Sequence, residues 1–264
     1  MSTFSKVTDG ATAVADIPDG ASIAVGGFGL CGVPTYLIDQ VLELPVGNFT
    51  VISNNCGLDD AGVGLWLAAG KTMKMISSYV GENETFERMY LQGDLHVELT
   101  PQGTLAEKLR AGGAGIPAFY TATGVGTVVA EGGLPWKYNA DGTVALASPA
   151  KETREFKGRT FVLEEALTPD FALVRATVAD TLGNCVFHAS TRNFNLPAAM
   201  SGVTTIVEAE RLVQPGEINP DDVHLPGIYV KRVVALQEPW ISDKRIERLT
   251  VREPAQSRDE QEGH

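Results

Sequence analysis

With 264 residues, 44% of them hydrophobic, the chain is long enough for one large α/β domain with a substantial core, or for two small ones. Its 33 acidic residues outnumber 21 basic ones, and the formal net charge of −12 argues against non-specific binding to nucleic acid or anionic membranes. No apolar run approaches the roughly 20 residues that span a bilayer, and no basic region followed by an apolar block marks a signal peptide at the N-terminus. Three cysteines, Cys31, Cys56 and Cys185, fit a reducing cytoplasm and small buried side chains better than a disulfide framework.

The chain opens with Phe4, Val7, Ala11, Val14 and Ala15 at helical spacing. Pro18-Asp19-Gly20 then turns into an apolar run over 21–25 that reads as a short buried strand. The stretch that follows, Gly26-Gly27-Phe28-Gly29-Leu30-Cys31-Gly32-Val33-Pro34, organises the rest. Its glycines remove Cβ atoms where the chain must turn and let backbone N–H groups approach a ligand. Pro34 suits the first turn of a helix, expected over 36–44 with Leu37, Ile38, Val41 and Leu42 on one face. Strand, glycine turn and helix N-terminus make a site for a phosphate or another anion. The same residues serve equally as a tight strand-to-helix turn with no ligand. The spacing Gly27-x-Gly29-x-x-Gly32 also matches the dinucleotide fingerprint. The next apolar run, Phe49-Thr50-Val51-Ile52, however ends in Ser53-Asn54-Asn55, with no carboxylate to hold a ribose, and this counts against NAD.

Asn54-Asn55-Cys56-Gly57 forms a second strand-end loop. Asparagine tolerates the left-handed region, so the pair can be a turn; two adjacent amides can also donate to a ligand carbonyl. An apolar helix is expected over 61–69. Gly70-Lys71-Thr72 resembles the end of a P-loop, but the required upstream glycine falls at Leu65 and that reading fails. Strands are expected at 73–77 and 95–99, with a helix over 84–91 between them. A third strand-end loop follows, Thr100-Pro101-Gln102-Gly103, and Thr104 with Glu107 makes a capping-box pattern for a helix starting at Thr104.

Through residue 115 the chain thus repeats strand, loop and helix four times. That alternation indicates an α/β fold, a parallel sheet with helices on its faces, and ligands then bind outside the carboxyl ends of the strands. The loops 26–34, 54–57 and 100–103 should gather on one edge. A glycine-rich middle leads to an excursion over 134–159, with Trp136, Tyr138 and the turn Asn139-Ala140-Asp141-Gly142, readable as a two-stranded flap or as a packed surface loop. Strand character returns at 161–163, 171–178, 204–209 and 228–234. Residues 1–252 read as a single domain, and the polar stretch 253–264 as a disordered tail.

Common catalytic patterns are absent. There is no Gly-x-Ser-x-Gly elbow. There is no His-x-x-x-His or Cys-x-x-Cys pair to support a metal site, so no metal is expected. His96, His188 and His224 are scattered and read as structural. Ligand-like loops without an obvious nucleophile suggest half of an active site.

These loops resemble the α subunit of family I CoA-transferases. So do Ser78-Tyr79-Val80-Gly81-Glu82-Asn83, Glu98-Leu99-Thr100-Pro101-Gln102-Gly103-Thr104-Leu105-Ala106-Glu107, the stretch 112–120, Lys151-Glu152-Thr153-Arg154-Glu155-Phe156 and Arg192-Asn193-Phe194-Asn195. The resemblance runs from residue 5 to 250 and leans to the succinyl-CoA:3-ketoacid type. The 3-oxoadipate type is the near alternative, with a shorter segment where 134–149 lies here.

The resemblance implies an open, mostly parallel Rossmann-like sheet. It implies a partner, the similar β subunit, in a heterodimer or heterotetramer. It implies a cytoplasmic enzyme that moves CoA from succinyl-CoA to a 3-oxoacid such as acetoacetate. The chemistry is ping-pong: a β-subunit glutamate attacks the thioester, giving a mixed anhydride and then a glutamyl-CoA thioester. Coenzyme A is a substrate, and no cofactor is implied. Gly26, Gly27, Phe28, Gly29, Leu30, Cys31 and Gly32 are assigned to CoA binding. Asn54, Asn55 and Gln102 border the reacting thioester, positioning substrate or an oxyanion, where losing one donor costs about 3–4 kcal/mol. Two readings from other classes stand beside it: an NAD-dependent oxidoreductase, and a non-catalytic sugar-phosphate-binding protein of the same fold that needs no β-like partner.

Overall fold

A computed structural model of the chain describes residues 5–244. The tail expected at 253–264 lies outside the described residues. The first half of the chain runs α1 (Gly10–Val14), β1 (Ser22–Val25), α2 (Thr35–Leu42), β2 (Phe49–Ile52), α3 (Gly64–Ala68), β3 (Thr72–Ser77), α4 (Glu84–Gln92), β4 (His96–Leu99) and α5 (Gln102–Gly113). Then come β5 (Ala118–Thr121), α6 (Val128–Glu131), β6 (Pro135–Tyr138), β7 (Val144–Ala147), β8 (Thr153–Phe156) and β9 (Arg159–Glu165). The last elements are β10 (Phe171–Asp180), β11 (Cys185–Val186), α7 (Asn195–Ser201), β12 (Thr204–Val213) and β13 (Val230–Ala235).

Seven strands form a parallel sheet in the order β13-β12-β10-β1-β2-β3-β4, with the short β11 antiparallel to β10. Successive strand residues face opposite sides, and here both sides are apolar. Ile23, Val25, Val51, Met75 and Leu173 pack with Leu37, Ile38 and Val41 of α2, Trp66 of α3 and Phe86 of α4. Their neighbours Ala24, Ile52, Ile76, Ala172 and Val174 pack with Leu105 and Leu109 of α5 and Ala198 and Ala199 of α7. The sheet is therefore buried on both faces, as the unbroken apolar runs of the sequence require. The chain walks from β1 to β4 in one direction and resumes with β10 on the other side of β1, so the order reverses between β1 and β10.

Two helices start elsewhere than the sequence pattern suggests. The expected helix over 61–69 begins only at Gly64, because Leu58 and Ala61 first close a tight turn on each other. Helix α5 begins at Gln102, two residues ahead of the capping-box position. Pro101, with φ −52°, occupies the N-cap, and Leu105 N–H already donates to Pro101 O at 2.9 Å. Glu107 turns instead to Arg110, at 2.8 and 2.6 Å, and Thr104 Oγ1 has no partner.

The excursion over 134–159 divides in two. Strands β6 and β7 form an antiparallel hairpin that lies over β4, the edge strand of the large sheet. Tyr90 Oη donates to Pro135 O at 2.5 Å, Trp136 packs on His96, and the Lys74 ammonium lies 5.9 Å from the Trp136 ring centre. The hairpin thus covers an edge that would otherwise offer unpaired backbone groups. Strand β8 joins β5 and β9 in a second, three-stranded antiparallel sheet. That sheet is tied to α5 through Glu164, 2% exposed, which accepts from Lys108 at 3.3 Å and Lys151 at 2.5 Å. No helix among the described residues is long and apolar enough to cross a membrane.

Candidate active site

Because β1, β2 and β4 are parallel members of one sheet, their outgoing loops emerge at the same edge. The first loop continues the ladder by one bond, Gly26 N–H to Leu173 O at 2.9 Å. Phe28 and Cys31 then exchange backbone hydrogen bonds at 3.0 and 2.9 Å, closing a turn with Gly29 and Leu30 at its tip. Gly27, Gly29 and Gly32 have φ of +105°, +59° and +70°, which a residue with a Cβ rarely adopts.

The second loop repeats the first. Leu58 and Ala61 exchange the same pair of bonds at 3.1 and 3.3 Å, flanked by Gly57 and Gly62 at φ +70° and +65°. Gly27-x4-Gly32-Val33 after β1 recurs as Gly57-x4-Gly62-Val63 after β2, two equal glycine intervals that the sequence itself displays. The loops pack together: a Cβ on Gly62 would lie 3.4 Å from Leu30 Cδ2 and 3.9 Å from Val33 Cγ1. A small cavity opens between them, lined by Gly26, Gly29, Ser53, Asn55, Gly57 and Gly62.

Of the two adjacent amides, Asn55 lines this cavity and Asn54 is buried. Asn55 Oδ1 accepts from Gly57 N–H at 3.1 Å, so its oxygen serves the turn and its NH₂ remains as the donor end. Asn54 O accepts from Ser78 N–H at 3.0 Å, extending the ladder beyond β3. Gln102 is exposed at the start of α5. It stands on the same edge but outside the cavity, three strands from β1, roughly 14 Å at ordinary strand spacing.

A loop made largely of glycine has few side chains with which to hold itself. It is gripped from outside by residues that sequence reasoning gave no site role. Asn195 is fully buried; its Oδ1 accepts from Arg175 N–H at 3.1 Å and its Nδ2 donates to Gly32 O and Thr191 O, both at 2.8 Å. Asn193 Nδ2 donates to Cys31 O at 3.1 Å. A Cβ on Gly26 would overlap the Asn195 amide, so that glycine is needed for the close approach.

On the far side of the loop, α2 begins behind Pro34, which supplies no side-chain cap. The missing acceptor comes from Glu208 of β12, whose Oε2 takes Leu37 N–H at 2.9 Å. Glu208 sits directly opposite Arg175 in the β10–β12 ladder, and the guanidinium lies 3.4 Å from Glu208 Oε1. Burial pushes the Glu208 carboxyl up, to about 8, against the opposing pull of Arg175 and the backbone N–H of Leu37. The sequence signal for this pair is a lone charge inside each of two apolar strands, Phe171-Ala172-Leu173-Val174-Arg175 and Thr204-Thr205-Ile206-Val207-Glu208.

The scattered histidines and cysteines take part in packing. His224 Nδ1 accepts from Phe187 N–H at 3.0 Å, and burial lowers the pKa of His96. Cys56 and Cys185 are buried and their thiols pushed up by desolvation, while Cys31 Sγ lies 3.5 Å from Ser190 Oγ. Among the described residues no group of three or more His, Cys, Asp or Glu side chains is placed to hold a metal.

A family model described as coenzyme A transferase matches residues 7–236. The chain belongs to the coenzyme A transferase family. A Mycobacterium bovis protein, named as one of the two subunits of a probable succinyl-CoA:3-ketoacid coenzyme A transferase, is 56% identical over 247 residues, covering 94% of this chain and 98% of its own. The human mitochondrial succinyl-CoA:3-ketoacid coenzyme A transferase 2 is 52% identical over 238 residues, 90% of this chain but 46% of its own length. In fold, a crystal structure of an acyl-CoA transferase apoenzyme from Escherichia coli O157:H7 matches with a TM-score of 0.75 at 24% identity, over 89% of this chain and 48% of that one. The open parallel sheet with helices on both faces is therefore the sheet of this transferase family, as the sequence leads one to expect.

The two loop glycines that suggest themselves for mutation are not equivalent. A Cβ on Gly29 meets nothing within 4 Å, whereas one on Gly32 lies 3.2 Å from Thr191 Cα and 2.9 Å from Asn195 Nδ2. Gly29→Val is expected to fold, with the strain of one left-handed residue, about 1–2 kcal/mol, and to lose most transferase activity in the assembled enzyme. Gly32→Val is expected to lose thermal stability as well. Wild-type kinetics in Gly29→Val would remove this loop from the active cleft.

Glu208 yields a second expectation. A carboxyl raised in the folded state contributes stability that is full below its unfolded value, 4.5, and is lost as pH rises through about 8. The melting temperature of wild type relative to Glu208→Gln should therefore fall between pH 5 and 8 and level off above. A difference that stays flat across that window would show that Glu208 does not titrate there.

Proposed function

We propose that this chain is the α subunit of a cytoplasmic CoA-transferase, a single α-subunit domain moving CoA from succinyl-CoA to a 3-oxoacid such as acetoacetate, with a β-like partner. The observation that carries the reading is the sheet edge itself: twin glycine loops, an amide at Asn55 and a further amide at Gln102, with no desolvated nucleophile beside them among the described residues. Relatives more than half identical bear the succinyl-CoA:3-ketoacid name as one subunit of the transferase, and the human relative is about twice as long as the stretch matched here. Both facts support a reaction shared with a second half. The hairpin within 134–149 is present, which favours the succinyl type over the 3-oxoadipate type. The absence of a carboxylate after β2 weighs against NAD chemistry.

The steps assign roles by chemistry. A partner carboxylate attacks the acyl-CoA carbonyl, and the electron pair displaced onto the carbonyl oxygen is stabilised by amide and backbone N–H donors at this edge. CoA leaves as thiolate from the mixed anhydride and attacks the glutamyl carbonyl, releasing succinate and leaving a glutamyl-CoA thioester. The 3-oxoacid carboxylate then reverses the sequence. A carboxylate needs a dry, preformed site to act as nucleophile. Glu82, the one Glu-Asn sequence in this chain, is exposed, and its neighbour Asn83 is engaged as the N-cap of α4, accepting from Phe86 N–H at 2.8 Å. The nucleophile is therefore placed on the partner. Coenzyme A enters as substrate, and no cofactor is proposed.

The purified chain alone should not turn over, and adding the β-like chain should restore activity. Incubating the complex with succinyl-CoA alone and reducing with borohydride should modify one glutamate of the partner, read by mass spectrometry. A modified residue in this chain would overturn the assignment of the nucleophile.

Gln102→Ala should lower kcat and kcat/KM by similar factors, the signature of a contact made in the transition state. A change confined to KM would move Gln102 to ground-state binding.

A further inference from the structure

The glycine loop is short of its own anchors, and the far end of its support is a buried ion pair. We infer that Arg175 and Glu208 are positioning residues for CoA transfer: paired across β10 and β12, they fix the N-terminus of α2 and the loop 26–34 in the geometry the reaction needs. The inference rests on the reading of that loop as part of the cleft.

Both side chains are buried, Arg175 4% and Glu208 0% exposed. Glu208 Oε2 accepts from Leu37 N–H, satisfying a helix-end donor that nothing local can serve after Pro34. The guanidinium reaches the same helix end through Thr35 Oγ1 at 3.3 Å. It also donates to Glu210 Oε1 at 3.1 Å and to the carbonyls of Trp240 and Ile241 at 3.1 and 3.2 Å. The backbone N–H of Arg175 holds Asn195, which holds Gly32 O. One residue of β10 therefore grips the loop's last glycine on one side and the helix it feeds on the other. A buried ion pair is a weak source of stability, since an apolar pair of equal volume often does as well. What this pair supplies that an apolar pair does not is direction: an acceptor aimed at Leu37 and a fork spanning α2, β12 and the segment at 240–241.

The test separates geometry from stability in the complex with the β-like chain. Rates are normalised to the number of active sites, counted as glutamyl-CoA thioester formed from succinyl-CoA. Glu208→Gln keeps both the length and an oxygen for Leu37 N–H, and Glu210 remains to face Arg175; it should stay close to wild type per site. Glu208→Asp keeps the charge but withdraws the acceptor by one methylene, and Glu208→Ala removes it. Both should lower kcat per site by about 10²-fold, the effect of a misplacement near 1 Å, with a smaller change in KM. Arg175→Lys should resemble Glu208→Asp, because one ammonium cannot span the partners of a guanidinium. Equal kcat per site across the series, with only melting temperatures differing, would overturn the positioning role. Gly29→Val in the same assay separates the two readings. Its full activity would overturn the cleft assignment on which the inference rests. Its loss beside an unimpaired Glu208→Asp would overturn the inference alone.

Discussion

Asn195 is cut off from water, and every hydrogen bond of its amide must be made inside the protein. The three partners it finds belong to three separate stretches: Arg175 of β10, Gly32 of the first glycine loop and Thr191 of the turn leading to α7. Satisfying one amide therefore joins the loop to the sheet. Losing one of these bonds leaves a buried polar group unpaired, at about 1–3 kcal/mol. The arrangement also explains why the first position after β1 is glycine, since a Cβ on Gly26 would occupy the space of that amide. The loop's shape is thus set less by its own sequence than by a side chain far along the chain.

This bears on what the sequence can reveal. The alternation of apolar runs with helical stretches is enough to read a parallel sheet covered on both faces, because each strand carries two apolar faces and each helix one. Local punctuation is less secure. Thr104 and Glu107 carry a correct capping signature, yet Pro101 starts the helix first and leaves the signature inside it. The segment 134–159 reads as a free flap because its residues alternate weakly. Its Trp136 and Tyr138 instead pack on His96 and Tyr90 at the sheet edge. Least legible is whatever depends on strand order. That β10 inserts beside β1, and so brings Asn195 and Arg175 to the glycine loop, is a long-range pairing that no window of sequence displays.

The same strand order sorts the candidate site residues. The loops after β1 and β2 are neighbours and share a cavity, so the glycines and Asn55 meet there. Gln102 follows β4, two strands beyond β2, and can only act on a ligand that runs along the edge. An acyl chain ending in a thioester is extended enough to do so, whereas a compact phosphate held at one helix N-terminus is not. The geometry of the edge thus favours an elongated substrate over the simple anion site that the first loop suggests by itself.

An edge built this way is incomplete as a place for nucleophilic attack by a carboxylate. Phe28 and Tyr79, on the loops after β1 and β3, are 45% and 62% exposed, and Gln102 is exposed as well. Water reaching these positions would screen the very donors that have to stabilise an oxyanion. The loops themselves are rigidly held, by Asn195 on one side and Glu208 on the other, so closing the cleft does not call for their rearrangement. What is missing is a lid and a nucleophile, and a second chain of similar fold presenting its own sheet edge would supply both at once. The division of labour then follows from the physics: this chain preorganises donors and shape, and the partner brings the reactive carboxylate together with the surface that dries it.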